Sequence, residues 1–521
     1  MPSEAQSAGL PVDEKGTHGQ ILKSSAWIGG SSLLTIAFGI VRTKAMALML
    51  NPAGFGLFGI YGSISGLAQC IAGVGINSSG VRQIAAAVGS GDSRQVAHTA
   101  AVIQRTSALL GVLGAVLLAA FSRRLSIVTF GSPQHAGPIV LLSLAVFFQL
   151  VANGQNALLQ GVRRIRELGK AAVLSAILGG SGSLLLVYFL RERGVALSLV
   201  VAAIASCAVS WWYARGEQFQ CPSLRVAQIA EGAAPLLKLG LVFMTSYLMT
   251  QGTAYAVRVI LLRYAGFDAT GYYQSAWTLG GLYVGFILEA MGADFYPRIA
   301  GCAEDNGVCN RLVNEQTHVG LLLAGPGVIA TLTLAPAALV VFYSTRFAAA
   351  AGVLRWICLG TLLQVIAWPM SYMIVAKNKR ALYFATELTW GVLNLGLSWI
   401  CIRAFGLNGA GIAFFGSNAL FSVVLFPVAR RLTNFGWSSA TRRTGLFFLS
   451  LIGLAFSASC FLPLLWATAV GVLATLLSAI YSVQTVARLV SSEHVSWEHV
   501  PPPLRRLLVI LRLAPPSGRD R

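Results

Sequence analysis

The chain has 521 residues, of which 56% are hydrophobic and only 11% are charged. A soluble globular protein carries roughly 25% charged residues, so the composition excludes that class and indicates a polytopic membrane protein. The formal net charge of +20 does not indicate nucleic-acid binding, because the basic residues lie between apolar segments rather than in one soluble patch.

Fourteen apolar stretches have the length of about 20 residues that a membrane-spanning helix needs. Their approximate limits are 25–48, 54–76, 98–120, 137–160, 171–190, 194–213, 236–262, 270–293, 317–343, 350–376, 381–402, 407–429, 444–462 and 464–487. The sequence therefore predicts an all-α polytopic membrane protein with about 14 transmembrane helices.

Basic residues are concentrated in alternate connections between these spans. Clusters such as Arg163-Arg164 and Lys379-Arg380 follow spans 4 and 10, whereas the intervening connections hold fewer cations. The positive-inside rule places the basic connections in the cytoplasm, and an even number of spans then places both termini there. The first twenty residues are polar, which argues against a cleaved signal peptide.

Landmarks of the first six spans recur in the next six. Arg42 in span 1 lies 216 positions before Arg258 in span 7, and Arg82 lies 216 positions before Arg298. This displacement predicts two six-helix lobes that are related by a pseudo-twofold axis along the membrane normal, with a central site between them. Helices 13 and 14 stand outside the repeat.

The predicted organisation has six parts. They are a cytoplasmic N-terminal tail at 1–22, an N-lobe of helices 1–6 at 23–213, a cytoplasmic linker at 214–235, a C-lobe of helices 7–12 at 236–430, helices 13 and 14 at 431–488, and a cytoplasmic basic tail at 489–521. Residues 504–513 of that tail are predicted to form an amphipathic segment on the inner leaflet, although a tail without such a role is an equal alternative.

Polar residues recur at helical spacing on several spans, which marks faces that avoid lipid. Glycine and serine on these faces are also explained by close helix packing, whereas the amides of span 4 favour a hydrated cavity. The candidate substrate-binding residues of the cavity are Arg42, Arg258, Thr35, Gln69, Gln149, Asn153, Asn156, Gln251 and Gln274.

Arg42 and Arg258 are the principal candidates within this set. A guanidinium binds phosphate bidentately, and a charge at membrane depth is a functional hypothesis by default. The alternative is that both side chains snorkel to the headgroup layer. Because both residues lie on the polar faces of their helices, we favour a site for an anion attached to a glycan.

Acidic residues are scarce in the spans. Glu289 near the inner end of helix 8 is a candidate for H⁺ or Na⁺ coupling, and Glu387 near the inner end of helix 11 is a weaker one. Either carboxylate is also explained by pairing with a nearby base. The eight cysteines include no C-x-x-C pair, and we predict no cofactor, no metal site and no catalytic residues.

Several segments at helix ends resemble the Wzx-type O-antigen flippases, the polysaccharide transporter family of the multidrug/oligosaccharidyl-lipid/polysaccharide (MOP) exporter superfamily. The similarity covers about residues 20 to 435. The segments are Phe55-Gly56-Leu57-Phe58, Gly75-Ile76-Asn77, Gly80-Val81-Arg82-Gln83-Ile84, Leu159-Gln160-Gly161-Val162-Arg163-Arg164-Ile165 and Gly292-Ala293-Asp294-Phe295-Tyr296-Pro297-Arg298.

This resemblance implies a transporter of the bacterial inner membrane rather than an enzyme. It implies translocation of an undecaprenyl-pyrophosphate-linked oligosaccharide repeat unit, for O-antigen lipopolysaccharide or a related surface polysaccharide, from the inner to the outer leaflet by alternating access. Family members carry basic residues on helices 1 and 7, to which Arg42 and Arg258 correspond. The implied partners are the lipid-linked glycan, the bilayer and the polymerase and chain-length machinery of the same pathway, with no nucleic acid.

Two other functions remain open at this point. A multidrug or cation antiporter of the same superfamily would require a buried acid, and a membrane glycan polymerase or ligase would require a sizeable outer loop. Fourteen spans also occur in the related lipid II flippases, so the glycan itself is not identified by the sequence.

Overall fold

The computed structural model describes residues 14–215 and 226–492, and this part of the chain is all α-helical, with fourteen α-helices and no strand. The helices are α1 Glu14–Gly73, α2 Ile76–Gly89, α3 Ser93–Phe130, α4 Ala136–Gly161, α5 Ile165–Leu190, α6 Gly194–Ala214, α7 Val226–Gly301, α8 Asn306–Thr333, α9 Ala335–Phe342, α10 Ala351–Ala376, α11 Arg380–Phe405, α12 Leu407–Thr433, α13 Ser439–Phe461 and α14 Leu464–Ser492. The predicted all-α fold is therefore confirmed.

Within the described residues, ten segments are long and apolar enough to cross a membrane, and the bent pair α8 and α9 raises this to eleven. Three of these segments, 30–73, 165–214 and 244–301, contain 44, 50 and 58 residues. At 1.5 Å per residue each is more than twice as long as the hydrocarbon core of about 30 Å. Each holds two of the predicted spans, so the eleven segments account for fourteen spans. The protein is a multi-pass membrane protein.

A single non-helical residue divides two of these long segments, and the 3-10 turn Arg191–Arg193 divides the third. Asn51 interrupts α1 with φ 58° and ψ 176°, and Gly266 interrupts α7 with φ 86° and ψ −176°. The two residues are 215 positions apart. Positive φ also recurs at this displacement at the end of α4 and α10, in Arg163 and Asn378. The repeat predicted from the sequence is thus present in the backbone.

Two predicted elements differ from the structure. Span 9 is not one continuous helix, because α8 ends at Thr333 and α9 begins at Ala335 with a bend of 85°. Pro336 favours a break at this position, since it has no N–H to donate and its ring obstructs the preceding turn. The connection predicted at 77–97 contains the additional helix α2, which follows the left-handed Gly75.

The chain divides into two compact units, here called unit 1 (Met1–Met49 and Tyr61–Leu248) and unit 2 (Leu50–Ile60 and Met249–Arg521). In unit 1, α4 packs against α3 and α6, while α6 packs against α5 and α2 packs against α4. Ile84, Ile103, Leu158 and Leu236 are fully buried in one core cluster of this unit.

In unit 2, α12 packs against α10 and α11, and α8 packs against α10, α13 and α14. Asn314 of α8 binds the connection between α12 and α13 through two hydrogen bonds. Its Oδ1 accepts from the Ser438 N–H at 2.7 Å, and its Nδ2 donates to the Gly436 carbonyl at 3.0 Å. Helices α13 and α14, which stand outside the sequence repeat, therefore pack against α8.

Helix α1 begins at Glu14 and α7 begins at Val226, so helix extends into the segments assigned to the N-terminal tail and the linker. The predicted amphipathic segment at 504–513, the first 13 residues and linker residues 216–225 lie outside the described residues. The limits of the six predicted parts stay predictions.

Candidate functional site

The guanidinium of Arg258 lies inside unit 2, and the residue is only 7% exposed. Its Nε donates a hydrogen bond of 3.0 Å to Oε1 of Gln274, and its Nη1 donates one of 2.9 Å to the Ala254 carbonyl. The Cζ atom lies 5.8 Å from the centre of the Tyr273 ring, within the range of a cation–π contact. The side chain of Arg258 is therefore enclosed by protein groups of unit 2.

Further hydrogen bonds extend from this contact along α7. Nε2 of Gln274 donates to Oγ1 of Thr278 at 3.2 Å, and this hydroxyl in turn donates to the Gln274 carbonyl at 2.9 Å. Gly59 leaves room for the amide, because a Cβ at that position would lie 2.7 Å from Oε1 of Gln274. Arg258, Tyr273, Gln274 and Thr278 form what we call the Arg258 cluster.

Arg258 is the one charged residue among the buried residues in the part of the chain that the structure describes. It lies eight residues before the break at Gly266, which corresponds to about 12 Å along the helix. An isolated buried charge is very unfavourable, so the two hydrogen bonds and the aromatic face are what make this position tolerable. The arrangement holds this cation in a fixed orientation.

Arg42, its counterpart in the repeat, has different surroundings. It is half-buried in unit 1, and its stem passes close to α5, since a Cβ on Gly180 would lie 3.2 Å from the Arg42 Cδ and overlap the Phe38 ring. The residue 215 positions before Gln274 is Gly59, which has no side chain to offer. The repeat therefore reproduces the two arginines but not the amide that binds Arg258.

The other predicted residues of unit 1 make contacts on their own helices. Oγ1 of Thr35 donates to the Ser31 carbonyl at 2.9 Å, and Nε2 of Gln69 donates to the Ser65 hydroxyl at 2.9 Å. On α4, Gln149 donates to Oδ1 of Asn153 at 3.3 Å, and Asn156 is half-buried one turn further along. The bond between Gln149 and Asn153, which are four positions apart, places these two amides on one face of α4.

In unit 2, Gln251 is half-buried and Glu289 is exposed. Of the ten predicted residues, the structure brings together Arg258 with Gln274 and Gln149 with Asn153. Tyr273 and Thr278 were missing from the predicted set. The sequence could have indicated Thr278, because Thr278 follows Gln274 by one helical turn. Helical spacing did not indicate Tyr273, whose ring reaches Arg258 only because the residue is next to Gln274.

No group of three or more histidine, cysteine, aspartate or glutamate side chains in the described residues is arranged to hold a metal ion. The Arg258 cluster offers hydrogen bonds and a positive charge. Such groups bind phosphate oxygens and sugar hydroxyls.

Residues 21–302, more than half of the chain, match the family model described as polysaccharide biosynthesis protein. The chain belongs to the polysaccharide biosynthesis protein family. The matched range includes both Arg42 and Arg258 of this polysaccharide biosynthesis protein. The resemblance predicted from the sequence is confirmed at the level of family and fold.

Two curated relatives support the same assignment. The polysaccharide biosynthesis protein is 22% identical over 403 residues to the lipid III flippase of Escherichia coli (strain K12), an alignment that covers 76% of this chain and 94% of the relative. The lipid III flippase of Shigella flexneri gives the same values.

Solved transporter structures share the fold of this polysaccharide biosynthesis protein. The lipid II flippase MurJ in its inward closed conformation aligns with a TM-score of 0.65 at 13% identity, covering 88% of this chain and 98% of that one. An inward-facing multidrug resistance MATE transporter of the MOP superfamily gives 0.62 at 17% identity, covering 79% and 96%. The fold is therefore that of MOP superfamily transporters.

Proposed function

We propose that this polysaccharide biosynthesis protein is a flippase, which moves an undecaprenyl-pyrophosphate-linked oligosaccharide repeat unit from the inner to the outer leaflet of the bacterial inner membrane. The glycan would belong to O-antigen or a related surface polysaccharide. The observation that carries the proposal is the Arg258 cluster, a buried cation surrounded by amide, hydroxyl and aromatic groups. The family match and the relatives named lipid III flippase support it.

The geometry of Arg258 suits a phosphate group. A guanidinium has five N–H donors, and the bonds to Gln274 and Ala254 use one on Nε and one on Nη1. Within the described residues no further hydrogen-bond acceptor contacts Arg258, so its remaining donors suit the oxygens of a pyrophosphate. Gln274 and Thr278 offer hydrogen bonds of the type that sugar hydroxyls accept and donate.

Arg42 in unit 1 and Arg258 in unit 2 are the intramembrane guanidiniums at matched positions of the repeat. Alternating access would expose these groups first to the cytoplasm and then to the outer side, while the polyprenyl chain remains in lipid. The amides Gln69, Gln149, Asn153 and Gln251 would provide further polar surface for the glycan, since lipid-facing positions would not retain such side chains.

We propose that an ion gradient supplies the energy for this cycle. Glu289, exposed on α7 in the described structure, is our candidate for H⁺ or Na⁺ coupling. The carboxylate would bind the ion on one side and release it on the other. Replacement by glutamine, which removes the charge at similar size, should abolish any dependence of transport on that gradient.

A cation antiporter of the same superfamily is the competing function, because MATE transporters share the fold. The charges oppose it: no aspartate or glutamate of the described residues is buried, whereas Arg258 is. A glycan polymerase or ligase is opposed by the connections predicted to be outer, since only residues 131–135 separate α3 from α4 and only Gly406 separates α11 from α12.

Purified protein in proteoliposomes distinguishes these functions. A lipid-linked oligosaccharide with a fluorescent label in the inner leaflet should become accessible to an impermeant quencher outside, with no change in its mass. We expect Arg258→Ala to reduce this transfer by about one to two orders of magnitude, because a hydrogen bond to a charged group contributes about 1.5–3 kcal/mol.

Arg263→Ala is the matched control, because Arg263 lies on the same helix but is exposed. Wild-type transfer by Arg258→Ala at normal folding would refute a role of Arg258 in substrate binding. Efflux of organic cations without transfer of the glycolipid would identify an antiporter, and a product of greater mass would identify a polymerase or ligase.

A further inference from the structure

A groove of about 800 Å³ lies in unit 1 between α1, α5 and α6. Its volume is within the range of roughly 300–1,000 Å³ that is typical of ligand sites. Five aliphatic side chains line most of it, and they are Leu33, Leu34, Val173, Leu174 and Ile177. Gly30 and Gly169 widen the groove because they carry no side chain. An apolar groove on a membrane helix bundle accommodates a hydrocarbon chain.

The polar groups of the groove are gathered at one end. Lys170 lies five residues after the start of α5, and Tyr213 lies next to the last residue of α6. From Lys170 to Ile177 the groove extends about 10 Å along α5. The end with Lys170 is the one predicted to face the cytoplasm, so the polar mouth lies at the inner membrane surface and the apolar part extends into the inner leaflet.

Lys170 at this mouth is not paired with an acid of the described residues. Glu167, the nearest acid on α5, forms its ion pair with Arg164 at 3.5 Å. Lys170 is exposed and forms no ion pair within the described part of the chain. A phosphate group at the inner surface would meet a positive mouth.

The groove also leads toward Arg42. Leu34 and Ile177 lie on α1 and α5 near its deeper end, and about one turn further Phe38 and Arg42 pass over Gly180 of α5. From Lys170 to Gly180 is about 15 Å along the helix, which is half of the 30 Å hydrocarbon core. The seam between α1 and α5 therefore joins a surface cation to an intramembrane cation across one leaflet.

We propose that this groove holds the polyprenyl chain of the lipid carrier, with the phosphate at Lys170 before the headgroup moves to Arg42. The proposal rests on the proposed flippase function, because it assumes a polyprenyl-linked substrate. An apolar groove gains little from hydrophobic burial inside a bilayer, where lipid tails are equally apolar. Selectivity must therefore come from the shape of the groove and from the charge at its mouth.

The test is photocrosslinking of the full-length protein in nanodiscs. The probe is a long-chain polyprenyl pyrophosphate with a diazirine in its chain, and the crosslinked peptides are identified by mass spectrometry. We expect crosslinks to residues of α1 and α5. Leu34→Trp and Ile177→Trp, which fill the groove, should remove them, whereas Leu185→Trp, at an exposed position of α5 outside the groove, should not.

Lys170→Gln tests the charge without filling the groove. Because a basic residue near the membrane surface contributes about 1 kcal/mol, we expect about fivefold weaker labelling by the probe. Arg94→Gln, at an exposed position of α3, is the matched control. Unchanged labelling in Lys170→Gln and in the filled variants would overturn the proposal, as would equal competition by phosphatidylglycerol, which would identify a site for bulk phospholipid.

The outcome can be separated from that of the proposed function. If Leu34→Trp and Ile177→Trp transfer the glycolipid at the wild-type rate, the groove is wrong while the flippase function stands. If the wild-type protein binds the polyprenyl probe in the groove but transfers no glycolipid, the groove stands while the flippase function is wrong.

Discussion

The Nε–H group of Arg258 donates a hydrogen bond of 3.0 Å to Oε1 of Gln274, which lies sixteen residues further along the chain. The bond spans the break at Gly266 and so connects the two halves of α7. It fixes the plane of the guanidinium while leaving part of its donor set for a ligand. A buried charge held in one orientation loses little further freedom when an anion binds.

The contribution of this bond to stability can be separated from its contribution to transport. Arg258→Met leaves the Gln274 amide without its partner, and Gln274→Met leaves a buried guanidinium with one bond fewer. Each single change should lower the free energy of unfolding by about 1–3 kcal/mol, because an unsatisfied buried group retains its desolvation cost. The measurement is thermal unfolding in detergent.

The double variant Arg258→Met with Gln274→Met should recover most of that loss, because both partners are then apolar and of similar size. Transport should stay reduced in every variant without Arg258. A double variant as unstable as the sum of the two single ones would show that the bond does not couple these residues.

The sequence predicted the arginines but not their surroundings. The displacement of 216 identified Arg42 and Arg258, and helical spacing identified Gln274. Both patterns can be recognised in the sequence without knowledge of packing. Equal positions in a repeat suggested equal roles. The contacts differ since Gly59 stands where the second half has Gln274, and a contact between two helices is not encoded by periodicity within either one.

The helix count was likewise predictable, because each span must be long and apolar in its own sequence. The bend of 85° between α8 and α9 was not predicted, although Pro336 is visible in the sequence. Membrane helices tolerate proline where neighbouring groups satisfy the freed carbonyls, so a proline alone does not show whether a span continues. Whether this span continues as one helix therefore depends on its tertiary packing.

The break at Gly266 should be sensitive to any side chain. Its φ of 86° and ψ of −176° lie in a region that is essentially restricted to glycine. Gly266→Ala should therefore lower the free energy of unfolding by about 1–3 kcal/mol, measured as a lower midpoint of thermal unfolding. Asn51, at the equivalent position, accepts a hydrogen bond from Arg346 at its side chain.

Gly252→Ala is the control for this change. Gly252 lies on the same helix, it has no positive φ, and a Cβ there would meet no atom within 4 Å. Alanine should stabilise this helical position by about 0.5–1 kcal/mol. If both alanine variants shifted the midpoint in the same direction, the special backbone at Gly266 would not be the cause.

The close approach of Gly56 and Gly271 should also depend on the absence of side chains. A Cβ on Gly271 would overlap the Pro52 carbonyl, and a Cβ on Gly56 would lie 2.7 Å from the Gly271 nitrogen. Gly271→Ala should cost about 1–3 kcal/mol of stability, because the two backbones must separate. Gly281→Ala, on the same helix with no atom within 4 Å, should be neutral or stabilising. Equal effects in the two variants would show that the contact is not tight.

The predicted orientation of the membrane helices can be tested with single accessible cysteines. Glu192 lies in the short connection between α5 and α6 that is predicted to be outer, and Glu304 lies between α7 and α8 in a connection predicted to be cytoplasmic. Both are exposed. In a background with Cys460→Ser, we expect an impermeant maleimide to label Glu192→Cys in intact cells and Glu304→Cys only after permeabilisation.

The physical reason is the distribution of cations, since segments rich in lysine and arginine are retained on the cytoplasmic side. Labelling of the wild-type cysteines is measured in parallel as a background, because Cys302 is half-buried and Cys309 is buried. The opposite pattern would place both termini outside. It would also put the mouth with Lys170 in the outer leaflet, so that the polyprenyl carrier would meet that cation only after its headgroup had crossed.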